Sequence, residues 1–276
     1  MRIPPVLLVV VSIASVQLGS SFAKDLFASA PPQAVAWLRV ASAAVILLVI
    51  ARPRVSGRPR GHWLVALTYG LVLSGMNVVF YLAIQRIPIG MAVTVEFLGP
   101  LSVAVAGSRR PRDFAWVGLA LTGVALLGFT PGDLDPVGVA LALLAGALWA
   151  CYILLAGPTG RRWSGVTGVT VASCVGAVAL AAPALATAAS WAGNPRVWLL
   201  GAAVGLLSSV IPYGLEMIAL RTLDRGVFGI LMSLEPAAAA LFAFALLGEQ
   251  LRPIELVAMG CVVVASVGAT RSTRVS

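Results

Sequence analysis

The twenty residues Pro88-Ile-Gly-Met-Ala-Val-Thr-Val-Glu-Phe-Leu-Gly-Pro-Leu-Ser-Val-Ala-Val-Ala-Gly107 decide the fold of this chain. At about 1.5 Å per residue, such a run crosses the roughly 30 Å hydrocarbon core of a bilayer as one helix. Glu96 stands near its middle, and Pro100 follows four residues later. A carboxyl group at that depth costs roughly 2.5–3.5 kcal/mol on insertion scales, so it is kept there by a partner or a task. A proline in a helix removes one backbone donor and frees the carbonyl four residues earlier. A freed carbonyl survives at membrane depth only against protein or a water-filled cavity. The pairing of acid and proline recurs in Pro212-Tyr-Gly-Leu-Glu216 and in Glu235-Pro236. Three buried acids beside interrupted helices predict a polar pathway through a membrane.

The surrounding sequence fits that reading. The chain is 60% hydrophobic and 11% charged, with a mean hydropathy of +1.00. A soluble domain carries about twice that charge. Ten apolar runs of membrane-spanning length occur, at 4–23, 33–51, 63–85, 88–107, 114–130, 137–156, 166–189, 197–219, 227–247 and 254–270. Short connections exclude a separate soluble domain, and the absence of two-residue alternation excludes a strand barrel. The expected fold is therefore an all-α membrane protein of ten transmembrane helices.

The net charge of +9 does not mark a nucleic-acid binder, because the cations follow topology. With the amino terminus inside, fourteen cations fall on inner segments, among them Arg52, Arg54, Arg58 and Arg60. Four fall outside: Lys24, Arg86, Arg196 and Arg252. This is the positive-inside asymmetry, and it predicts both termini in the cytoplasm. The expected partners are a small-molecule substrate, protons and membrane lipids, with a homodimer left open. The start of the chain resembles a secretory signal at Ser21-Phe22-Ala23, but Gln17 and Ser20 interrupt an apolar stretch too long for one, so a retained helix is expected. Cys151, Cys174 and Cys261 show no metal-like spacing and His62 is alone, so neither metal nor cofactor is expected.

Placing residue n beside n+136 aligns the third and fourth runs with the eighth and ninth. It matches Ala83 with Ala219, Gly90 with Gly226 and Pro100 with Pro236. A slightly different offset pairs Arg110-Pro111 and Gly118 with Arg252-Pro253 and Gly260. The chain thus divides into halves at 1–131 and 132–276. Five helices per half is an odd number, so the second half enters the bilayer from the opposite side. Such inverted repeats let a transporter expose a midplane site alternately to either face.

These residues resemble the drug/metabolite transporter superfamily in its EamA-like branch, and within it the bacterial threonine/homoserine exporters. The likeness is carried by Ser21-Phe22-Ala23-Lys24-Asp25-Leu26-Phe27, by Gly75-Met76-Asn77 through Phe80-Tyr81-Leu82, and by Glu96-Phe97-Leu98-Gly99-Pro100 and Ser108-Arg109-Arg110-Pro111. It continues in Trp149-Ala150-Cys151-Tyr152, in Pro212-Tyr213-Gly214-Leu215-Glu216, in Met232-Ser233-Leu234-Glu235-Pro236 and in Leu247-Gly248-Glu249. The first span has Leu18-Gly19 where the wider superfamily commonly has Trp-Gly. The resemblance implies an exporter of small amino acids or related metabolites at the bacterial inner membrane, driven by the proton-motive force. The alternative is a membrane-embedded enzyme or flippase handling lipid-linked substrates, although no metal motif and no Ser/His pair stands out.

Among single residues, Glu96 is the first candidate to exchange a proton for a substrate ammonium, since burial favours a neutral carboxyl until a cation arrives. Glu235 and Glu216 are further candidates; each can instead be structural, Glu216 by pairing with Arg221 or Arg225. Pro212 should free the carbonyl of Ser208, giving that helix a polar patch with Ser209 and Tyr213. Lys24 is the single lysine among 19 Lys and Arg residues. It can serve as a tunable cation or snorkel to the surface. Arg39 lies too deep in its run to snorkel and requires an anion, from the protein or from a substrate carboxylate. Asn77, Tyr81 and Gln85 share a helix face at four-residue spacing, and Tyr152 and Gln17 extend that polar lining. Trp63, Trp116, Trp163, Trp191 and Trp198 read as interfacial anchors, and Trp37 and Trp149 lie deeper, as core packing or as a cavity wall. Gly201 and Gly205 fit close helix packing.

Overall fold

The computed structural model describes residues 4–53, 56–106, 111–128, 135–163, 166–219, 223, 228, 231–250 and 252–274. Its helices are α1 (Pro5–Leu26), α2 (Pro32–Ala51), α3 (Arg60–Ile84), α4 (Ile89–Glu96), α5 (Leu98–Ala106), α6 (Pro111–Gly128), α7 (Pro136–Arg162) and α8 (Thr167–Leu185). There follow α9 (Pro195–Gly205), which passes through a π turn at Leu206–Val210 into α10 (Ile211–Ala219), then α11 (Glu235–Leu247) and α12 (Pro253–Arg274). No strand occurs among the described residues. Six helical stretches are long and apolar enough to cross a bilayer: α1, α2, α3, α7, α8 and Pro195–Glu216. Shorter apolar stretches lie at Ile89–Val103, Phe114–Gly123, Glu235–Leu247 and Pro253–Ala265.

Proline writes many of these boundaries. α1, α2, α7 and α9 each begin on a proline, whose fixed φ suits the first helical turn and whose missing N–H is no loss there. Asp135 caps α7 by accepting from the Val137 and Gly138 amides, and Asn194 caps α9 through the Arg196 amide. Gly248 ends α11 with φ of 67°, the left-handed conformation glycine adopts without strain. Deeper prolines act differently. The run 88–107 is not one helix: it breaks at Phe97, between α4 and α5 and three residues before Pro100. The equivalent break, at 233–234, precedes Glu235-Pro236. α7 extends to Arg162, past the expected end at 156, and carries Pro158 within it.

The packing pairs have a pattern. α1 lies against α9, the π turn and α10, just as α7 lies against α3; α2 packs on α8, α4 on α11, and α6 on α12. Contacts between helices are close where side chains vanish. A Cβ on Gly99 would overlap the Gly146 carbonyl oxygen, so the backbones of α5 and α7 touch directly beside Glu96. Gly201 faces Leu38, and a Cβ on Gly205 would collide with Ser42 Oγ and the Arg39 carbonyl, so α9 presses on α2 as the small-residue pair requires. Large apolar side chains such as Val178, Leu199, Val49 and Leu64 remain exposed around the outside, the surface expected against lipid.

Two tryptophans depart from the anchor reading. Trp163 and Trp191 are fully buried. Trp163 donates to the His62 carbonyl and Trp191 to the Ala184 carbonyl, so each uses its one polar atom internally and fills core. Trp63 and Trp198 are exposed, as anchors would be. Trp37 packs against Trp191 and Trp198 and donates to the Ala177 carbonyl.

Candidate functional site

A cavity of about 480 Å³ lies between the helices, within the size range of small-molecule sites. α1 contributes Gln17 and Ser20 to it, α2 contributes Arg39, and α3 contributes Asn77 and Phe80. The α4–α5 break contributes Glu96 and Pro100, and α7 contributes Trp149 and Tyr152. The π turn and α10 present Ser208, Pro212, Tyr213 and Glu216, and the start of α11 presents Glu235. Residues distant in sequence thus meet at one place, and the two helix breaks lie on its wall.

Arg39 is the cation of this cavity. It is 8% exposed, and its partners are all neutral: Nε donates to Ser209 Oγ at 3.2 Å, Nη1 to the Tyr81 hydroxyl at 3.4 Å and Nη2 to the Ser208 carbonyl at 2.9 Å. The Ser208 carbonyl is the one that Pro212 leaves without its i+4 amide, so the broken helix supplies the oxygen that positions the guanidinium. The Tyr81 ring lies under the guanidinium, 5.7 Å from centroid to Cζ. Among the described residues, no carboxylate forms an ion pair with Arg39. A desolvated guanidinium without an anion is unfavourable, and a carboxylate bound there would supply what is missing.

The acids differ from one another. Glu216 accepts a hydrogen bond from Ser12 at 2.6 Å and faces the cavity; Arg221 and Arg225, its alternative partners, lie outside the described residues. Glu96 and Glu235 are each 7% exposed, and neither has a hydrogen-bond partner among the described residues. Arg39 acts electrostatically on Glu96, and Glu235 feels both Glu216 and Glu96. Three carboxyl groups against one guanidinium make a cavity in which an added cation, proton or ammonium relieves repulsion.

Not every candidate lines this space. Tyr81 stands behind Arg39, fully buried, and Gln85 is exposed at the end of α3. Asn77 faces the cavity while its amide donates to the Leu73 carbonyl. Lys24 corrects the expectation of a cavity cation: its ammonium lies 2.5 Å from Glu249 Oε1 and 3.2 Å from the Ile87 carbonyl, away from the lining. The Ile89 amide at the start of α4 also donates to Glu249, at 3.0 Å. One carboxylate therefore clasps the ends of α1, α4 and α11. Near the clasp, Ala23, Ala83, Ile84, Ile87 and Ile89 are packed to 3% exposure or less within one apolar core. Sequence reasoning missed Ser12 and Ser20; their spacing from Val16 along one face of α1 carried the signal.

Comparison with known proteins follows the same outline. The EamA-like transporter family matches residues 3–130 and again residues 136–271. The chain is 42% identical, over 98% of its length and 92% of the relative's, to the threonine/homoserine exporter RhtA of Escherichia coli strain K12. It is 41% identical over the same shares to the Salmonella typhimurium LT2 protein of that name. A crystal structure superposes with a TM-score of 0.63 over 97% of each chain at 21% identity, a likeness of fold alone. With both halves matched and a curated relative aligned over nearly its whole length, the chain belongs to the EamA-like transporter family.

Proposed function

We propose that this chain exports small zwitterionic amino acids of the threonine and homoserine kind across the bacterial inner membrane in exchange for protons. The observation that carries the reading is Arg39, a buried guanidinium with only neutral partners, in the same cavity as Glu96, Glu216 and Glu235. The substrate carboxylate takes Arg39. Its ammonium takes Glu96 or Glu235, which have no hydrogen-bond partner among the described residues. Proton and ammonium compete for the same carboxyl, so inward proton movement drives outward substrate movement with no covalent chemistry. The name of the relatives supports the substrate class.

In this reading the four shorter apolar stretches also cross the bilayer, giving ten spans in two repeats, 1–131 and 132–276. The reciprocal packing supports an inverted relation, since α7 meets α3 as α1 meets the π turn and α10. The cation asymmetry supports termini in the cytoplasm and the Lys24 clasp at the outer face. The described conformation is then closed outward, and transport requires the clasp to open. The test is threonine flux in everted vesicles with and without an imposed pH gradient. Wild type responds to the gradient, whereas Glu96→Gln loses the response. An unchanged response in that variant removes Glu96 from the coupling, and no gradient effect in wild type removes the antiport.

A further inference from the structure

We infer that Arg58 and Arg60 bind the phosphate of an anionic phospholipid whose acyl chains lie along Leu64, Leu67 and Leu71 of α3. These arginines stand where the chain offers them no acid. No Asp or Glu occurs between Asp25 and Glu96, or between Asp135 and Glu216. The segment before α3 and the end of α7 are therefore both free of acids, although the first carries Arg52, Arg54, Arg58 and Arg60 and the second Arg161 and Arg162. Among the described residues, none of these cations forms an ion pair. Their counter-charge must come from outside the chain.

Contacts around Trp163 join the two arginines. Trp163 is fully buried with Ala66 and Val171, and the Trp63 ring meets it edge to face at 5.5 Å. The Arg58 guanidinium lies over the same Trp163 ring, 5.0 Å from its centroid, and its Nη1 donates to the Arg162 carbonyl at 3.0 Å. Arg60 precedes Trp63 by three residues and so neighbours it on the surface of α3. Arg58 spends one of its N–H donors on the carbonyl, and the rest of its planar fork keeps the capacity for a phosphate. Arg60 is exposed and has no hydrogen bond among the described residues. Arg162 differs, because its guanidinium turns back to the Pro158 carbonyl of its own helix.

The surface beside the arginines then narrows the ligand. Positions 60, 64, 67 and 71 recur on one side of α3. Leu64, Leu67 and Leu71 are exposed there, while Ala66, Tyr69 and Leu73 are buried on the other side. Trp63 is exposed next to the stripe, as tryptophan is at headgroup level. A free phosphate would use the guanidinium groups alone. A cation one helical turn from a row of exposed leucines fits a molecule with an anionic head and an apolar tail. The inference needs α3 to cross the bilayer, for which it is long and apolar enough, and does not depend on the transported substrate.

The test uses the purified full chain in neutral detergent, with phosphatidylglycerol and phosphatidylcholine of identical acyl chains added together. Native mass spectrometry reads the ratio of the two bound lipids, so the amount of folded protein cancels. Wild type should favour phosphatidylglycerol by about tenfold or more, the scale of two arginines meeting an anionic head. The double variant Arg58→Gln/Arg60→Gln should lose that preference. Arg60→Gln alone disturbs no described side-chain bond and should lower it severalfold, which keeps the result readable if the double variant does not fold. Arg196→Gln removes a charge that already has Asp25 beside it and should leave the ratio unchanged. Phosphatidylglycerol should also raise the wild-type Tm, whereas sodium phosphate should not. A ratio near one in wild type, an equal fall with Arg196→Gln and Arg60→Gln, or an equal Tm shift with sodium phosphate would each overturn the site.

Discussion

Lys24 and Arg39 present the same pattern in sequence, a cation at or inside an apolar run, yet the folded chain gives them opposite surroundings. Lys24 has a carboxylate at 2.5 Å and a backbone carbonyl at 3.2 Å. Arg39 is more deeply enclosed and has two hydroxyls and a carbonyl, with no anion among the described residues. A charge paired inside the protein is committed to holding helices together. A charge that is desolvated, oriented by neutral groups and left without a counter-ion is, in the proposed reading, held for a substrate carboxylate. In that reading the difference separates a pair that ties helix ends together from a cation that receives substrate.

The largest effect should come from Arg39→Gln. Losing a buried contact between guanidinium and carboxylate costs roughly 2–5 kcal/mol, on the order of 100-fold in transport. Stability should change little, because an unpaired buried charge is removed along with its bonds. A fall in Tm under about 4 °C, roughly 1 kcal/mol for a chain of this size, is expected in a thermal shift assay. A variant that unfolds but transports normally per folded molecule would reverse the comparison.

Lys24→Met should show the opposite split. Glu249 would keep the Ile89 amide but lose its cation, at a cost of about 1–3 kcal/mol for a partly buried charge short of a partner. Tm should fall by several degrees, while the KM of the proposed threonine efflux stays within about threefold of wild type. A 100-fold rise in KM with unchanged Tm would return Lys24 to the role of substrate cation. The double variant Lys24→Glu/Glu249→Lys should recover only part of the loss, because an ammonium at position 249 would face the Ile89 N–H instead of accepting from it.

Much of the fold was legible because hydrocarbon imposes simple rules. Apolar runs became helices, and Pro100 and Pro236 marked real breaks. Pro212 foretold a free Ser208 carbonyl, and the guanidinium found there was the only missing piece. What could not be read is pairing at a distance. Nothing near Lys24 announces Glu249, 225 residues away, and nothing near Arg39 announces that the carboxylates stop short of it. Boundaries also slipped where local rules compete: Pro158 sits inside α7, and the run read as one helix over 197–219 contains a π turn at Leu206–Val210, which packs against α1 and α2. Trp163 and Trp191 were misplaced for a related reason, since a tryptophan near a helix end is an anchor or a core residue depending on the loop that covers it.

The smallest effect, and the control for the clasp, lies at Arg86 and Asp135, a second ion pair at a helix end, joined at 2.7 Å. Both are more exposed than their counterparts, with side chains 46% and 29% accessible against 24% and 15% for Lys24 and Glu249. The hydrogen bond from Arg86 holds the Asp135 carboxyl below the usual carboxylate range. Its folded-state value is thus depressed, so its contribution is present at neutral pH, above the unfolded-state value, and disappears as pH falls through the folded-state one. Asp135→Asn keeps an acceptor for the Val137 and Gly138 amides but removes the charge. Thermal shifts should find the variant slightly less stable than wild type at neutral pH and low salt. The two should converge in acid, and converge again in 1 M salt because an exposed pair is screened. The Lys24–Glu249 pair, being less accessible, should keep most of its contribution in the same salt. If salt erases both alike, the clasp is a surface pair, and the apolar packing around Ile84, Ile87 and Ile89 holds the three helix ends together unaided.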